Sequence, residues 1–223
     1  MRPLTYYVNK GMIPVAGKPL LEHIVVKLGE QGFPDIVVAL SVLGDQVTHY
    51  FGDGERFGVR MQYSFSDEPL GTAGEVDAMR ALLEGEDDFL VHYGDILTDL
   101  NAKALAEQHV HEQATATLGL VTGVRVHTGV AELGEAGEVV SFVEKPPLEK
   151  PCNAAVLALS RRALDYCARG RDFSNDVIPK MIAAGERVFG FLDERAYWYD
   201  VGRLSDLKDA NQALGGSQPQ VSA

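Results

Sequence analysis

Two aspartates in this chain each end an apolar or aromatic run beside a glycine. Asp95 closes Asp87-Asp88-Phe89-Leu90-Val91-His92-Tyr93-Gly94-Asp95, and Asp200 lies within Tyr197-Trp198-Tyr199-Asp200-Val201-Gly202. An apolar run bounded by polar residues reads as a strand buried on both faces, which in an α/β protein is a central parallel strand. Ligands of such sheets sit beyond the carboxyl ends of the strands, so Asp95 would stand at a site. Carboxylates there suit Mg²⁺, a hard cation that keeps several waters and is completed by phosphate oxygens. Taken alone, Gly94-Asp95 reads equally as a turn and helix start. Lys10 and Lys145 taken alone read as solvated surface lysines, yet a few lysines beside a metal make a local positive site even in an acidic protein. Leu70-Gly71-Thr72-Ala73-Gly74 gives flexible backbone leading into a helix, with Thr72 available as its cap. The six histidines, His109 and His111 among them, lack zinc-ligand spacing, and Cys152 and Cys167 lack CxxC spacing.

These residues need a scaffold, and the periodicity supplies one. Pro19 opens a helix whose apolar face is Leu20, Leu21, Ile24, Val25 and Leu28, with Gly32 closing it. Strands are expected at Ile36 to Leu40 and Val59 to Phe65, with a short helix near Gln46 to Tyr50 between them. A helix from Thr72 to about Leu83 precedes the Asp95 strand, and another covers Asn101 to Gln113. Thr115 to Val124, Gly129 to Leu133 and Val139 to Val143 read as strands, the last two joined by the hairpin signal Gly134-Glu135-Ala136-Gly137. Cys152 to Leu159 is a further strand, Ser160 caps a helix, Asn175 to Ala184 is helical, and Arg187 to Leu192 returns to the sheet. Leu204 to Leu214 closes with a helix. The expected fold is α/β, a Rossmann-like mixed, mostly parallel sheet flanked by helices. One domain spans residues 1–213, and residues 214–223 form a polar tail expected to be disordered.

At 223 residues, 46% hydrophobic and 23% charged, the chain is long enough for one full core. A formal net charge of −12 argues against general nucleic-acid affinity, which depends on clustered Lys and Arg. No apolar run approaches the roughly 18 residues of a membrane span, and the start lacks a signal-peptide pattern, so a cytoplasmic location without membrane association is expected. Two unpaired-looking cysteines fit reduced thiols.

In order, Arg2-Pro3-Leu4-Thr5, Lys10 through Pro19, Leu70 to Gly74, Gly94-Asp95, Val143-Glu144-Lys145-Pro146, Asn153-Ala154-Ala155 and Trp198 to Gly202 resemble the sugar-1-phosphate nucleotidylyltransferases. Each piece is weak by itself, but seven in order over nearly the whole chain, up to about Ala213, are specific. The resemblance implies nucleotidyl transfer from an NTP to a sugar 1-phosphate, giving an NDP-sugar and pyrophosphate. Asp95 and Asp200 match the aspartates that hold Mg²⁺. Lys10 matches a lysine contacting phosphate near the reacting centre, and Lys145 matches the lysine that binds the sugar phosphate. Glu144 matches an acid facing sugar hydroxyls, Asn153 a sugar-pocket residue, and Leu70, Gly71 and Thr72 the loop that reads the base through its backbone; Gly94 belongs to the substrate-binding set. NTP and sugar 1-phosphate are the implied partners, with a homo-oligomer compatible.

Three departures bear on this expectation. Met1 stands where the family has the leucine of its GGxGTRLRPLT loop, so the strand, diglycine and arginine of that motif precede residue 1 of this numbering. Donors aimed at developing charge are worth about 10²-fold to 10³-fold in rate each, so weak or no turnover is expected of the chain as written, and a non-catalytic nucleotide- or sugar-phosphate-binding protein is the alternative reading. Gly11 replaces a proline, which would loosen the loop holding Lys10, and Ala155 replaces a glycine near the sugar pocket. A glycosyltransferase reading would need a DxD-like motif, which Asp95-Ile96-Leu97-Thr98-Asp99 does not supply.

Overall fold

The computed structural model describes residues 4–202 and 204–215. The expected tail lies outside the described residues from position 216 on.

The chain enters through two short turns and a small ribbon, β1 (Pro14–Val15) and β2 (Lys18–Pro19), then helix α1 (Leu20–Glu30). Pro19, with its fixed φ, is the N-cap, and the buried stripe Leu20, Leu21, Ile24 and Val25 is the face that periodicity marked. Strand β3 (Asp35–Leu40), helix α2 (Gly44–Phe51) and strand β4 (Arg60–Phe65) follow, with β3 and β4 paired in parallel. Their apolar residues pack with α1 into one core cluster that includes Val47, Phe51 and Met61.

Helix α3 (Thr72–Ala78) leads to β5 (Asp88–His92), a turn, and β6 (Ile96–Thr98). Helix α4 (Ala102–His111), capped by the Asn101 side chain on the Ala104 amide, precedes β7 (Ala116–Val121). The hairpin β8 (Gly129–Leu133) and β9 (Val139–Glu144) comes next, then β10 (Cys152–Ser160), α5 (Ile178–Ala183), β11 (Val188–Leu192), β12 (Trp198–Asp200) and α6 (Leu204–Ala213). Four strands form a mixed sheet in the order β11-β7-β10-β5. β11 runs parallel to β7, while β10 is antiparallel to both β7 and β5, so three of the four strands point one way and β10 points against them. One face of this sheet packs Leu157, Leu159, Phe173 and Met181, and the other packs Leu105, Val121 and Val156.

Several local expectations are corrected. β5 is not a central parallel strand buried on both faces. Among the described residues it pairs only with β10, antiparallel, and Phe89 through His92 are partly buried. An apolar run encodes a strand but not its neighbours, and no hydrogen bond among the described residues joins β5 to β3. Thr72 is not the cap of α3, because Gly71 holds that position and the Thr72 hydroxyl is used elsewhere. Ser160 precedes a 3-10 turn with no side-chain cap bond, and residues 173–177 form a π turn before α5 begins.

Candidate active site

The first group of site residues is assembled by β6 and β12. These strands pair antiparallel with Ile96 opposite Asp200, and the Val201 amide donates to the Asp95 carbonyl at 2.9 Å. Two aspartates more than a hundred positions apart are thus placed side by side. The Lys10 ammonium hydrogen-bonds to Asp95 Oδ2. A methyl group placed on Gly202 would lie 2.7 Å from Asp200 Oδ1 and 3.5 Å from Lys10 Nζ, so the ammonium shares one small volume with both carboxylates. Asp200 Oδ1 also accepts the Gly202 amide at 2.9 Å, which fixes its rotamer. Lys10 and Asp95 are about one-third exposed, 37% and 32% by side chain, so the pair is open to an incoming ligand.

Lys10 is set by a turn that the sequence did not advertise. Asn9 Oδ1 accepts the Gly11 amide at 3.0 Å, Asn9 Nδ2 donates to the Val42 carbonyl, and the Asn9 amide donates to Gln46 Oε1 at 2.8 Å. Gly11 therefore does not loosen the loop. Its N–H makes a bond that proline could not make, and it is buried against Leu21.

The second group surrounds the Leu70 to Gly74 loop. Gly71 has φ +78°, and a Cβ there would lie 2.5 Å from the Arg171 carbonyl oxygen, so only glycine fits. Arg171 O accepts the amides of Ala73 and Gly74, Asp172 Oδ1 accepts both the amide and the hydroxyl of Thr72, and Thr72 Oγ1 in turn accepts the Phe173 amide. Glu75 Oε1 takes the Leu70 amide. Among the described residues, Gly71 has the one loop amide left without a partner. Asp172 is the residue that sequence reading missed: it sits in an aperiodic stretch and acts on a loop 100 residues away.

Asn153 stands in an irregularity of β10, where the register against β7 shifts between Asn153 and Leu157. Its Oδ1 accepts the Ala155 amide and its Nδ2 donates to Ser174 Oγ at 3.5 Å. Ala155 has φ +58°, the left-handed region that favours glycine. Its carbonyl accepts the Tyr93 amide, and the Ala154 carbonyl accepts Trp198 Nε1 at 3.1 Å. The sugar-pocket candidate is thereby tied to the turn bearing Asp95 and to the strand bearing Asp200. Gly94 is exposed in that turn, with open space above its Cα.

Glu144 and Lys145 form a third group at the foot of the β8–β9 hairpin, both exposed. The Lys145 backbone has φ +50° and is held by the Thr128 carbonyl and by Arg125. Among the described residues, no hydrogen bond or ion pair joins these side chains to the aspartates or to Asn153.

Other titratable groups are structural. His109 is buried between Thr117 and Asp88, and burial holds its imidazole below the ordinary value; His111 is exposed beside Glu112. Burial pushes the Cys167 thiol up to about 11, which removes it as a nucleophile. Among the described residues no three His, Cys, Asp or Glu side chains are grouped so as to hold a metal ion by themselves. Asp95 and Asp200 side by side are the kind of oxygen donors that a hard cation such as Mg²⁺ takes, an ion that completes its shell with water and phosphate oxygens. The Lys10 ammonium already marks that volume as one that takes a cation.

The profile of the family described as Nucleotidyl transferase matches residues 1–216. The chain belongs to that family. Among nucleotidyl transferases, it is 30% identical over 229 residues to the UTP–glucose-1-phosphate uridylyltransferase of Synechocystis, covering 94% of this chain and 59% of the relative. It is 31% identical over 214 residues to the mannose-1-phosphate guanylyltransferase of Mycobacterium tuberculosis, covering 93% of this chain and again 59% of the relative. The chain thus spans about three-fifths of the length of the curated relatives it matches. In fold it is similar to HddC from Yersinia pseudotuberculosis, also solved complexed with GMP-PN, at a TM-score of 0.74 and 24% identity over 93% of this chain and 90% of that one. The chain has, among its described residues, no helix long and apolar enough to cross a membrane.

Proposed function

We propose that this nucleotidyl transferase joins an NTP to a sugar 1-phosphate, releasing pyrophosphate and forming an NDP-sugar. The observation that carries the reading is the juxtaposition of Asp95 and Asp200 with Lys10 at the end of β12. In the reaction, a phosphate oxygen of the sugar 1-phosphate forms a bond to the α-phosphorus as the bond from that phosphorus to the bridging oxygen breaks and pyrophosphate leaves. Such a displacement needs alignment and charge neutralisation rather than a covalent group on the protein. Asp95 and Asp200 would hold Mg²⁺, which when bound neutralises phosphate charge. Lys10 adds a positive charge on a pinned turn. Lys145 binds the sugar phosphate and so aims the attacking oxygen. Glu144 accepts hydrogen bonds from sugar hydroxyls, and Asn153 shapes the sugar pocket beside Ala155. The Leu70–Gly71–Thr72 backbone reads the base, with the free Gly71 amide as its donor, and Gly94 leaves room for substrate above the Asp95 turn. The setting is the cytoplasm.

The test is Mg²⁺-dependent pyrophosphate release with each common NTP and dTTP offered against sugar 1-phosphates. Glucose and mannose 1-phosphate come first, since the matched relatives are named for them. Metal-dependent turnover supports the reading. Nucleotide or sugar-phosphate binding with no turnover over the whole panel supports the non-catalytic alternative instead.

A further inference from the structure

Helix α3 begins without a side-chain cap, because Gly71 at that position has no side chain to offer. The first amides of a helix have no partner within it and must find one elsewhere. Here a segment 100 positions away supplies them. Asp172 Oδ1 accepts the Thr72 amide at 3.1 Å and the Thr72 hydroxyl at 3.0 Å, and the Arg171 carbonyl accepts the Ala73 and Gly74 amides at 3.0 and 3.3 Å. The contact is returned by the Gly170 amide on the Leu70 carbonyl at 2.6 Å and the Phe173 amide on Thr72 Oγ1 at 2.9 Å. The segment is itself fixed. Phe173 is fully buried in the core, the Asp172 amide donates to Asp176 Oδ2 at 2.9 Å, and the Arg171 guanidinium donates to Asp176 Oδ1 at 3.0 Å. Ser174, next in line, accepts from Asn153, and the Tyr93 phenol lies against the hydroxyls of Ser174 and Thr72.

In a trans peptide the C=O and the N–H point in opposite directions. Leu70 and Gly71 share one peptide, whose carbonyl faces the Gly170 amide, so its Gly71 N–H points away from the 170–173 segment. Gly71 and Thr72 share the next peptide, whose N–H is held by Asp172. Gly71 is the hinge between them, at φ +78° and ψ 157°, and glycine turns about both bonds more freely than any other residue. Its N–H keeps one direction only while the peptides on both sides are held. Among the described residues, Asp172 is the one side chain of residues 170–173 that hydrogen-bonds to this loop. The remaining ties of the segment to the loop run through its backbone and survive a change of that side chain.

We infer that Asp172 is a positioning residue for nucleotide selectivity: its bond to the Thr72 amide locks the hinge at Gly71 and so aims the Gly71 N–H at the base. The inference rests on the proposed reading of Leu70, Gly71 and Thr72 as the loop that meets the base. A donor held in one direction favours bases that present an acceptor there and rejects those that leave it unpaired. A donor on a loose hinge meets every base about equally.

The test is calorimetric titration of the chain with each common NTP and dTTP in the presence of Mg²⁺. The wild type is expected to bind one nucleotide more tightly than the others. Asp172→Ala is expected to weaken that nucleotide about 10-fold, the worth of a hydrogen bond to a charged group, and the others by less than about threefold, so that the preference collapses. Asp172→Asn, whose amide oxygen can accept the same two bonds, is expected to restore the preference. Asp172→Glu carries the acceptor one methylene further out and is expected to lose the preference as well; it serves if Asp172→Ala does not fold. A merely structural role would weaken every nucleotide by one factor, and that result overturns the inference. So does a folded Asp172→Ala or Asp172→Glu variant with the wild-type spread of affinities, or an Asp172→Asn variant as unselective as Asp172→Ala. A wild type that binds no NTP, or binds all of them alike, refutes the base-reading loop and takes the inference with it, so the wild type alone tells the two failures apart. Binding is the readout, so the outcome does not depend on turnover.

Discussion

Lowering the pH is predicted to destabilise the fold through His92. The residue ends β5 opposite Val156, its Nδ1 bonded to the Tyr93 carbonyl at 2.9 Å, and burial holds its imidazole at about 4 against an ordinary 6.5, only partly countered by that bond and by the charge of Asp95. Because the folded value is depressed, the unfolded chain takes up a proton first, and stability falls as the pH drops below 6.5 and levels off near 4. At about 1.4 kcal/mol per unit, the loss relative to neutral pH is about 1.4 kcal/mol at pH 5.5 and about 2.6 kcal/mol at pH 4.5. Against a total stability of about 5–15 kcal/mol this is a large fraction. Other groups titrate over the same range, His109 in the same direction, so the measurement is a difference. Urea midpoints of wild type and His92→Gln, whose amide can still donate to Tyr93, are compared from about pH 7.5 to 4.5. The wild-type midpoint should fall further by about 1 M urea over that span. Parallel curves for the two proteins would refute the argument, because they would mean His92 titrates alike in the folded and unfolded chain.

Four other outcomes follow from the site. Asp95→Asn or Asp200→Asn is expected to lower metal-dependent pyrophosphate release at least about 10²-fold while leaving the circular dichroism melt intact; unchanged turnover would remove the metal assignment. Lys10→Met takes away the ammonium that now neutralises Asp95, so Mn²⁺ binding to the nucleotide-free chain, read by electron paramagnetic resonance, should tighten severalfold as turnover falls. Gly71→Ala drives a methyl into the Arg171 carbonyl at an unfavourable φ and should cost about 2–4 kcal/mol, seen as a lowered urea midpoint together with weakened nucleotide binding. Ala155→Gly relieves a left-handed alanine and should stabilise by up to about 1 kcal/mol in the same assay.

The parts of the site legible in the sequence are those written locally. Asp95 and Asp200 each follow an apolar or aromatic stretch that must become a strand, and the glycines beside them announce the turn. The helix from Asn101, the apolar stripe of α1 and the hairpin at Gly134 to Gly137 are local in the same sense. What stayed hidden is long-range. Nothing near Asp172 indicates that its carboxylate holds Thr72, nor does the apolar character of Phe89 to Val91 say which strands flank β5. The register shift around Ala155 was equally silent, because a small residue in a nine-residue strand fits a regular ladder as readily as a bulge. Asn9 lies in an unpatterned segment and Gln46 opens the expected short helix, and the two set the turn bearing Lys10 only once α2 has packed beside that turn.

The indole of Trp198 has a practical consequence. It is the chain's one tryptophan, and its N–H reaches from the strand that carries Asp200 to the Ala154 carbonyl beside Asn153. Indole emission, excited at wavelengths that the eight tyrosines hardly absorb, therefore comes from a single chromophore standing at the joint between the carboxylate pair and the sugar-pocket candidate. A ligand that shifts either side must change the polarity around that ring or the length of its hydrogen bond. The protein thus carries its own optical gauge, and titrations of nucleotide, sugar phosphate and metal can be followed without a label.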